Sequence, residues 1–157
     1  MHYSIRELQQ EETKALDTFL YEAIFVPDGT PAPPKEIIRQ PALQVYVKDF
    51  GKHKGDLCLV AQVGEEIVGT VWVRLMNDYG HIDDETPSLA ISLLKEYRNH
   101  GIGTALMKQI LLQLKRQGQK QVSLSVQKLN DAVRMYQKHG FEIVAETDEE
   151  YIMVCKL

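Results

Sequence analysis

The sequence predicts a single α+β domain in which about six or seven strands form a sheet and about four helices flank it. Short β-rich runs alternate along the chain with segments of helical periodicity, which indicates both kinds of element in one fold. A chain of 157 residues is long enough to bury one core and short for two domains. No repeat, low-complexity tract or linker divides it, so we expect residues 1–157 to form one domain.

The first third of the chain predicts one strand and a set of helical segments. A short strand is expected around His2 to Arg6, and apolar residues then recur at helical spacings from about Gln10. The helix must end before VPDGTPAPP, because its turn residues and prolines exclude regular structure. The segment KEIIRQPALQVYVKDF resumes a helical pattern that Pro41 interrupts, so we expect a loop with one or two short helices.

The middle of the chain predicts three strands. The runs DLCLVAQV and IVGTVWVRL are rich in β-forming residues, and the Gly64 to Glu66 connection between them is typical of a hairpin. They should therefore pair antiparallel. After a polar connection, the continuous apolar run SLAISLL predicts a strand that is buried on both faces.

A long amphipathic helix and a further strand follow. From Gly101 to Gln117 apolar residues repeat every four positions, and Lys115, Arg116 and Gly118 are typical of a helix C-terminus. The segment QVSLSV alternates apolar and polar residues, which predicts a strand with one apolar face. We expect this strand to lie beside SLAISLL.

A last helix and two strands complete the predicted order. Asn130 and Asp131 supply an N-cap for AVRMYQKHG, whose final glycine suits the position after the helix. The segments FEIVAET and EYIMVCKL are both expected to be strands.

Composition and charge exclude several functional classes. The formal net charge is −4 and the basic residues are scattered, so nucleic acid is not expected as a partner. No apolar stretch approaches the ~20 residues of a membrane span, and no secretory signal is visible, so we expect a soluble, cytoplasmic protein. Cys58 and Cys155 lie in apolar runs and are expected to be buried thiols. The histidines show no ligand spacing, so no metal site is predicted.

The glycine pair in RNHGIG, Arg98 to Gly103, lies where a predicted strand leads into the long helix. Unpaired backbone N–H groups and the helix dipole suit a phosphate group at such a junction. A tight turn that needs glycine for steric reasons alone is the alternative. Leu106 occupies the place of the third glycine of a dinucleotide fingerprint, and the Gly-Lys-Ser/Thr of a P-loop is absent.

Two motifs together resemble the GNAT superfamily of acyl-CoA N-acyltransferases. One is R-x-x-G-x-G in RNHGIG, and the other is NDAVRMYQKHGF from Asn130 to Phe141. The similarity extends over roughly Ile67 to Leu157, and the first third matches only in outline. The resemblance implies an α/β/α fold with a mixed, mostly antiparallel, twisted sheet. It also implies N-acetyltransferase activity with acetyl-CoA as co-substrate and no metal.

The resemblance further implies a donor site built largely from backbone groups. The backbone N–H of Leu93 would bind the thioester carbonyl, and backbone groups of Lys95 would hold the pantetheine arm. Asn130 would be a further coenzyme contact, a role that is compatible with capping its helix. The residues implied to surround the pyrophosphate are Arg98, Asn99, His100, Gly101, Ile102, Gly103 and Thr104.

Tyr136 matches the family tyrosine that lies near the coenzyme sulfur. The resemblance implies that its phenol protonates the departing thiolate as general acid. Helical spacing alone would place Tyr136 in the buried stripe of its helix, and only the surrounding motif favours the catalytic role.

A general base is required because an aliphatic amine is mostly protonated at neutral pH. Glu85 is the candidate, since it lies nearest the strand SLAISLL among the acidic residues Asp83, Asp84 and Glu85. The alternatives are a solvated acidic surface, a water relay, or a cluster that attracts a cationic acceptor.

The acceptor site is expected in the least matched segment, Tyr21 to Phe50. The aromatic residues that could line it are Tyr21, Phe25, Tyr46 and Trp72, although aromatic residues of a small domain are usually core. The expected acceptor is a primary amine of a small molecule or peptide. A non-catalytic module that senses acyl-CoA is the alternative function, and an acetyltransferase associated with nucleic acid ranks last. A homodimer through the C-terminal strands is a further expectation left open.

Overall fold

A computed structural model describes residues 1–157 as one mixed sheet with helices on both faces. The strands are β1 (Ser4–Glu7), β2 (Leu57–Val63), β3 (Glu66–Arg74), β4 (Ser88–Leu93), β5 (Gln121–Gln127), β6 (Phe141–Glu146) and β7 (Glu150–Lys156). The helices are α1 (Ala15–Glu22), α2 (Pro41–Gln44), α3 (Ile102–Arg116) and α4 (Ala132–Lys138). Short 3-10 turns occur at Gln10–Glu12, Lys35–Arg39 and Lys95–Tyr97. Seven strands and four helices confirm the predicted fold class.

The sheet has the strand order β1-β2-β3-β4-β5-β7-β6. Every neighbouring pair is antiparallel except β4 and β5, which run parallel and pair at a single position, Ser88 opposite Ser123. The predicted neighbourhood of these two strands is confirmed. Beyond Ser88 and Ser123 the strands share no ladder, so a gap opens between residues 89–93 and 124–127. We call this opening the β4–β5 gap, and Ser88 lies at its closed end.

Helix α3 covers one face of the sheet. The residues that repeat every four positions are buried as predicted: Ile102, Leu106, Ile110 and Leu114 are at most 1% exposed. They belong to a core that includes Val68, Val71 and Val73 of β3 and residues of β2, β4, β5 and α4. This packing fixes the N-terminus of α3 beside the end of β4.

Helix α1 and the segment 35–56 cover the other face. The structure differs from the sequence prediction at the start of α1, which was expected from about Gln10. A separate turn, Gln10–Glu12, precedes a helix that begins at Ala15. The Glu12 carboxylate accepts hydrogen bonds from the Arg6 side chain and from the Gln9 N–H, which ties this turn to β1.

Arg74 anchors the segment 45–56 to β3. Its guanidinium donates to both carboxylate oxygens of Asp56, at 3.0 and 2.9 Å, and to the carbonyl oxygens of Val45 and Lys48, at 3.1 and 2.6 Å. It also lies over the Phe50 ring. Both charged side chains are only 1% exposed. Burial, the largest single influence, opposes ionisation of Asp56, but the hydrogen bonds from Arg74, Gly51 and His53 and the Arg74 charge together outweigh it and lower the pKa of that carboxyl.

The C-terminal strand β7 lies between β5 and β6, so both of its edges are paired within the chain. Strand β6 is the edge of the sheet at this end, and the expected homodimer through these strands stays a prediction.

Cys58 and Cys155 are buried free thiols, as predicted, and burial raises the pKa of both. No helix combines the length and apolar character needed to cross a bilayer. No three His, Cys, Asp or Glu side chains are grouped so as to hold a metal ion.

Candidate functional site

The loop between β4 and α3 contains two residues in the left-handed backbone region. Gly101 has a φ of 84° and is the N-cap of α3, and Asn99 has a φ of 63°. Asparagine and glycine are the residues that tolerate this conformation best. Left-handed residues in a turn direct successive N–H groups into one concave surface, which is the usual geometry of an anion-binding nest.

Six consecutive backbone N–H groups of this loop, from Asn99 to Thr104, donate to no acceptor within the protein. Those of the first helical turn are unpaired in any helix, and here the loop adds further groups to them. The positive end of the α3 dipole lies at the same place. Arg98 differs from the prediction, because its N–H already donates to the Lys95 carbonyl at 3.2 Å.

The Arg98 side chain instead connects the loop to the end of β4 and to α1. Its Nε donates to the Leu93 carbonyl at 3.1 Å, and its Nη2 lies 3.3 Å from the Glu22 carboxylate at the end of α1. Lys95 is exposed and begins the 3-10 turn that leads from β4 into this loop. The positions predicted to surround a pyrophosphate therefore come together, with Arg98 as a support.

The two glycines of the motif have different roles. A Cβ added at Gly101 would meet nothing within 4 Å, so that glycine faces open space. A Cβ at Gly103 would lie 3.3 Å from the Leu93 side chain. Close packing of α3 on β4 therefore explains Gly103. It does not explain the open space and free N–H groups around Gly101.

Backbone N–H groups of β4 also point into the β4–β5 gap. Leu94 donates to Val68 of β3 at 2.9 Å. Because N–H directions alternate along a strand, those of Leu93 and Ile91 point away from β3 and toward β5. The role of the Leu93 N–H in binding a thioester carbonyl stays a prediction. Ile91 shares the orientation of Leu93 and was not among the predicted positions.

Tyr136 and Asn130 lie on and before α4. The Tyr136 ring is 9% exposed, meets Phe141 edge-on with ring centroids 5.9 Å apart, and belongs to the same core as α3. Burial raises the pKa of its phenol to about 12, so the hydroxyl is protonated at neutral pH. The Asn130 side chain accepts a hydrogen bond from the Ala132 N–H at 2.9 Å and caps the helix.

Glu85 is not brought to the β4–β5 gap. It is exposed in the loop before β4, on the side of Ser88 rather than of Leu93. The N–H groups of Glu85 and Thr86 donate to the Asp83 carboxylate, which forms a local turn and lowers the pKa of Asp83. The role of Glu85 as base stays a prediction, without a supporting contact to the loop or to Tyr136.

The aromatic residues predicted for the acceptor site divide into two groups. Trp72 is 0% exposed and its indole donates to the Tyr46 carbonyl at 3.1 Å, so its assignment to the acceptor site is wrong. Tyr21 is half-buried and lines a cleft of about 330 Å³ between α1 and the turn Lys35–Arg39. Phe25 is half-buried just after α1.

Tyr46 takes part in a hydrogen-bond network that the sequence did not predict. Its hydroxyl donates to one carboxylate oxygen of Asp78 at 2.8 Å, and the Ser88 hydroxyl donates to the other at 2.7 Å. Burial and the Asp78 charge raise the pKa of the Tyr46 phenol. We call Tyr46, Asp78 and Ser88 the Asp78 network. Its members are up to 42 positions apart, so no local pattern could reveal it.

A domain model described as an acetyltransferase (GNAT) domain matches residues 54–143, which is more than half of the chain. A search of curated protein sequences finds no significant match.

Several solved structures share the fold at low sequence identity. An acetyltransferase of the GNAT family from Streptococcus pneumoniae has 22% identity and a TM-score of 0.71, with 99% of this chain and 100% of that chain covered. The PaiA N-acetyltransferase from Thermoplasma acidophilum, in complex with coenzyme A, has 20% identity and a TM-score of 0.72 over 100% of both chains. The ribosomal-protein-S18-alanine N-acetyltransferase from Escherichia coli has 16% identity and a TM-score of 0.69, with 99% of this chain and 94% of that chain covered.

Proposed function

The chain belongs to the GNAT acetyltransferase family, and on that premise we propose that it transfers an acetyl group from acetyl-CoA to a primary amine of a small molecule or peptide. The transfer is direct, in a ternary complex of protein, donor and acceptor. One observation carries the proposal: six free N–H groups, Asn99 to Thr104, lie at the N-terminus of α3 beside the open space at Gly101.

The free N–H groups suit the diphosphate of a coenzyme A. Oriented amides at a helix N-terminus bind anions without losing any internal hydrogen bond. The backbone at Lys95 would hold the pantetheine arm, and Asn130 would be a further coenzyme contact. The N–H groups of Leu93 and Ile91 would polarise the thioester carbonyl as negative charge develops on its oxygen.

Tyr136 supplies the proton for the leaving group in this proposal. The amine lone pair attacks the carbonyl carbon, a C–N bond forms, and the C–S bond breaks. The departing thiolate takes the proton of the Tyr136 phenol, which solvent then restores. Protonation of that phenol at neutral pH supports the role. The acceptor amine loses its own proton to water or to a carboxylate such as Glu85.

The proposal is tested first by calorimetric titration of the protein with acetyl-CoA, with a matched pair of glycine variants. Gly101 and Gly118 flank α3, have φ values of 84° and 85°, and leave an added Cβ free of contacts. Replacing either with alanine costs about 1 kcal/mol of backbone strain. Only Gly101→Ala would place a methyl group at the proposed cradle, so it should weaken acetyl-CoA binding about tenfold while Gly118→Ala leaves it unchanged.

Measuring the release of the coenzyme A thiol from acetyl-CoA in the presence of a panel of amines completes this test. Micromolar binding with turnover supports the proposal. Binding without turnover for any amine would favour the non-catalytic sensor. Absence of acetyl-CoA binding, or an equal loss of acetyl-CoA affinity in the two glycine variants, would overturn the assignment of the loop as a diphosphate site.

A further inference from the structure

The Asp78 network lies at the closed end of the β4–β5 gap, on the face opposite α3. Ser88 is the β4 residue that pairs with β5, and its hydroxyl donates to Asp78. Tyr46 belongs to the core of the α1 face, together with Trp72 and Phe19. A thioester bound at the open end and an acceptor bound at the Asp78 network would therefore approach the gap from different sides.

Asp78 is a half-buried carboxylate without a cationic partner. It forms no salt bridge, and both of its hydrogen bonds come from neutral hydroxyl groups. Asp56 on the same face of the sheet is paired with the buried guanidinium of Arg74 at 2.9 Å. Partly burying a carboxylate without an opposite charge is unfavourable, so a cation at Asp78 would gain an interaction that the protein itself leaves unmade.

A second carboxylate acts in the same region. Glu150 of β7 is half-buried and accepts a hydrogen bond from the Gln127 side chain at 3.2 Å, and burial and then the Glu149 charge raise its pKa. The charges of Asp78 and Glu150 both raise the pKa of the Tyr46 phenol, after burial. No lysine or arginine forms a salt bridge with either carboxylate.

We propose that Asp78, held by Tyr46 and Ser88, determines specificity by binding a second positive charge of the acceptor, beyond the amine that is acetylated. The inference rests on the proposed acetyltransferase function and names its acceptor class: an amine with two or more cationic groups. Two hydroxyl donors hold the carboxylate in one orientation, which suits recognition of a fixed charge.

The strand spacing sets the length of such an acceptor. Ser88 and Ile91 are three residues apart on β4, or about 10 Å at 3.3 Å per residue. An amine attacking a carbonyl held at Ile91 would therefore have its second charge near Asp78 if the two nitrogens are separated by several methylene groups. Longer diamines should fit better than the shortest ones.

The test compares α,ω-diamines of three to eight carbons with n-alkylamines of the same lengths. Wild-type protein should use the longer diamines with a KM at least tenfold below that of the matching alkylamine. Asp78→Asn should raise the diamine KM about tenfold or more, leave the alkylamine KM unchanged, and alter kcat little. Asp148→Asn is the control, because this carboxylate is exposed in the turn between β6 and β7 and its side chain forms no hydrogen bond or salt bridge, and it should change neither constant.

Calorimetric titration of each variant with the best diamine separates this inference from the proposed function. Weaker diamine binding to Asp78→Asn than to Asp148→Asn supports the inference even if no acetyl transfer is detected. Tyr46→Phe, which removes one of the two donors to Asp78, should give an intermediate loss. If Asp78→Asn raises the KM for diamines and alkylamines equally, or if wild-type protein shows no preference for diamines, the proposal is overturned.

Discussion

The two sides of the β4–β5 gap are built in different ways. The proposed donor side is one continuous loop, residues 98–104, and its functional groups are backbone N–H groups. The proposed acceptor side uses side chains from separate segments, among them Tyr46, Asp78 and Ser88. A backbone site depends on local conformation, which a short motif can encode. A side-chain site depends on how distant segments pack, so it can vary while the fold is kept.

The largest effect is expected on the acceptor side, from Arg74→Met. This change removes the partner of a buried carboxylate and the donor to two carbonyl groups of the segment 45–56. Leaving Asp56 buried and unpaired should lower the free energy of unfolding by about 3–5 kcal/mol. Urea denaturation monitored by circular dichroism measures it.

The control for this change is Arg39→Met on the same side of the sheet. Arg39 is 71% exposed and its nearest carboxylate oxygen, on Asp17, is 3.9 Å away. Its replacement should alter stability by less than about 0.5 kcal/mol. If Arg74→Met lowers the free energy of unfolding no more than Arg39→Met does, Arg74 does not anchor the segment 45–56. The proposed contrast between a backbone donor side and a side-chain acceptor side would then fail.

The next largest effect is expected on the donor side, from Tyr136→Phe. The variant keeps the ring and its contact with Phe141 but loses the acidic proton. The rate constant kcat should fall about 100-fold, which corresponds to about 2.7 kcal/mol, while acetyl-CoA affinity stays unchanged. Steady-state kinetics and calorimetry on the same preparation measure both quantities.

The pH dependence gives an independent check on Tyr136. Burial raises the pKa of the phenol to about 12, so the proton that it donates is present throughout the neutral and mildly alkaline range. The wild-type rate should therefore rise with pH as the acceptor amine loses its proton, and should not fall again below about pH 10. A decline near pH 8 would mean that a different group supplies the proton.

Local signals explain what the sequence predicted well. The repeat of Ile102, Leu106 and Ile110 predicted α3, and Gly64, with a φ of 59°, forms the expected hairpin turn. The glycine loop was predicted because its conformation is encoded in consecutive residues, Asn99 and Gly101 among them. In each case the residues that determine the local structure lie close together in the sequence.

The misses all involve contacts between distant segments. The sequence around Asp78 predicts only a polar connection, because its hydrogen-bond partner Tyr46 lies 32 positions away. Trp72 is one of four aromatic candidates for the acceptor site in the sequence, but packing against α1 buries it completely. Glu85 lies close to β4 in sequence, but the length of that strand separates it from Leu93, and its role as base stays a prediction. Sequence distance was a poor guide to distance in space.

The smallest effect is expected from Glu12→Gln, which separates burial from geometry as the source of the Arg74 effect. Arg6 binds both carboxylate oxygens of Glu12 through Nη1 and Nη2, at 2.8 and 2.7 Å, and Arg74 binds both oxygens of Asp56 through Nε and Nη2. The Arg6 and Glu12 side chains are 31% and 23% exposed, against 1% for both members of the buried pair. Water already solvates the Arg6 pair, so Glu12→Gln should cost about 1 kcal/mol or less at pH 7.

The same variant has a defined pH dependence. The Arg6 hydrogen bond, followed by that of the Gln9 N–H, lowers the pKa of Glu12 from its ordinary value of 4.5 to about 2. Because the folded protein holds this carboxyl ionised more strongly than the unfolded chain does, the pair stabilises the fold fully above pH 4.5 and loses that contribution as the pH falls toward 2. Wild-type and Glu12→Gln stabilities should therefore converge in acid. A loss at pH 7 as large as that of Arg74→Met would show that bidentate geometry, rather than burial, decides the strength of such pairs here.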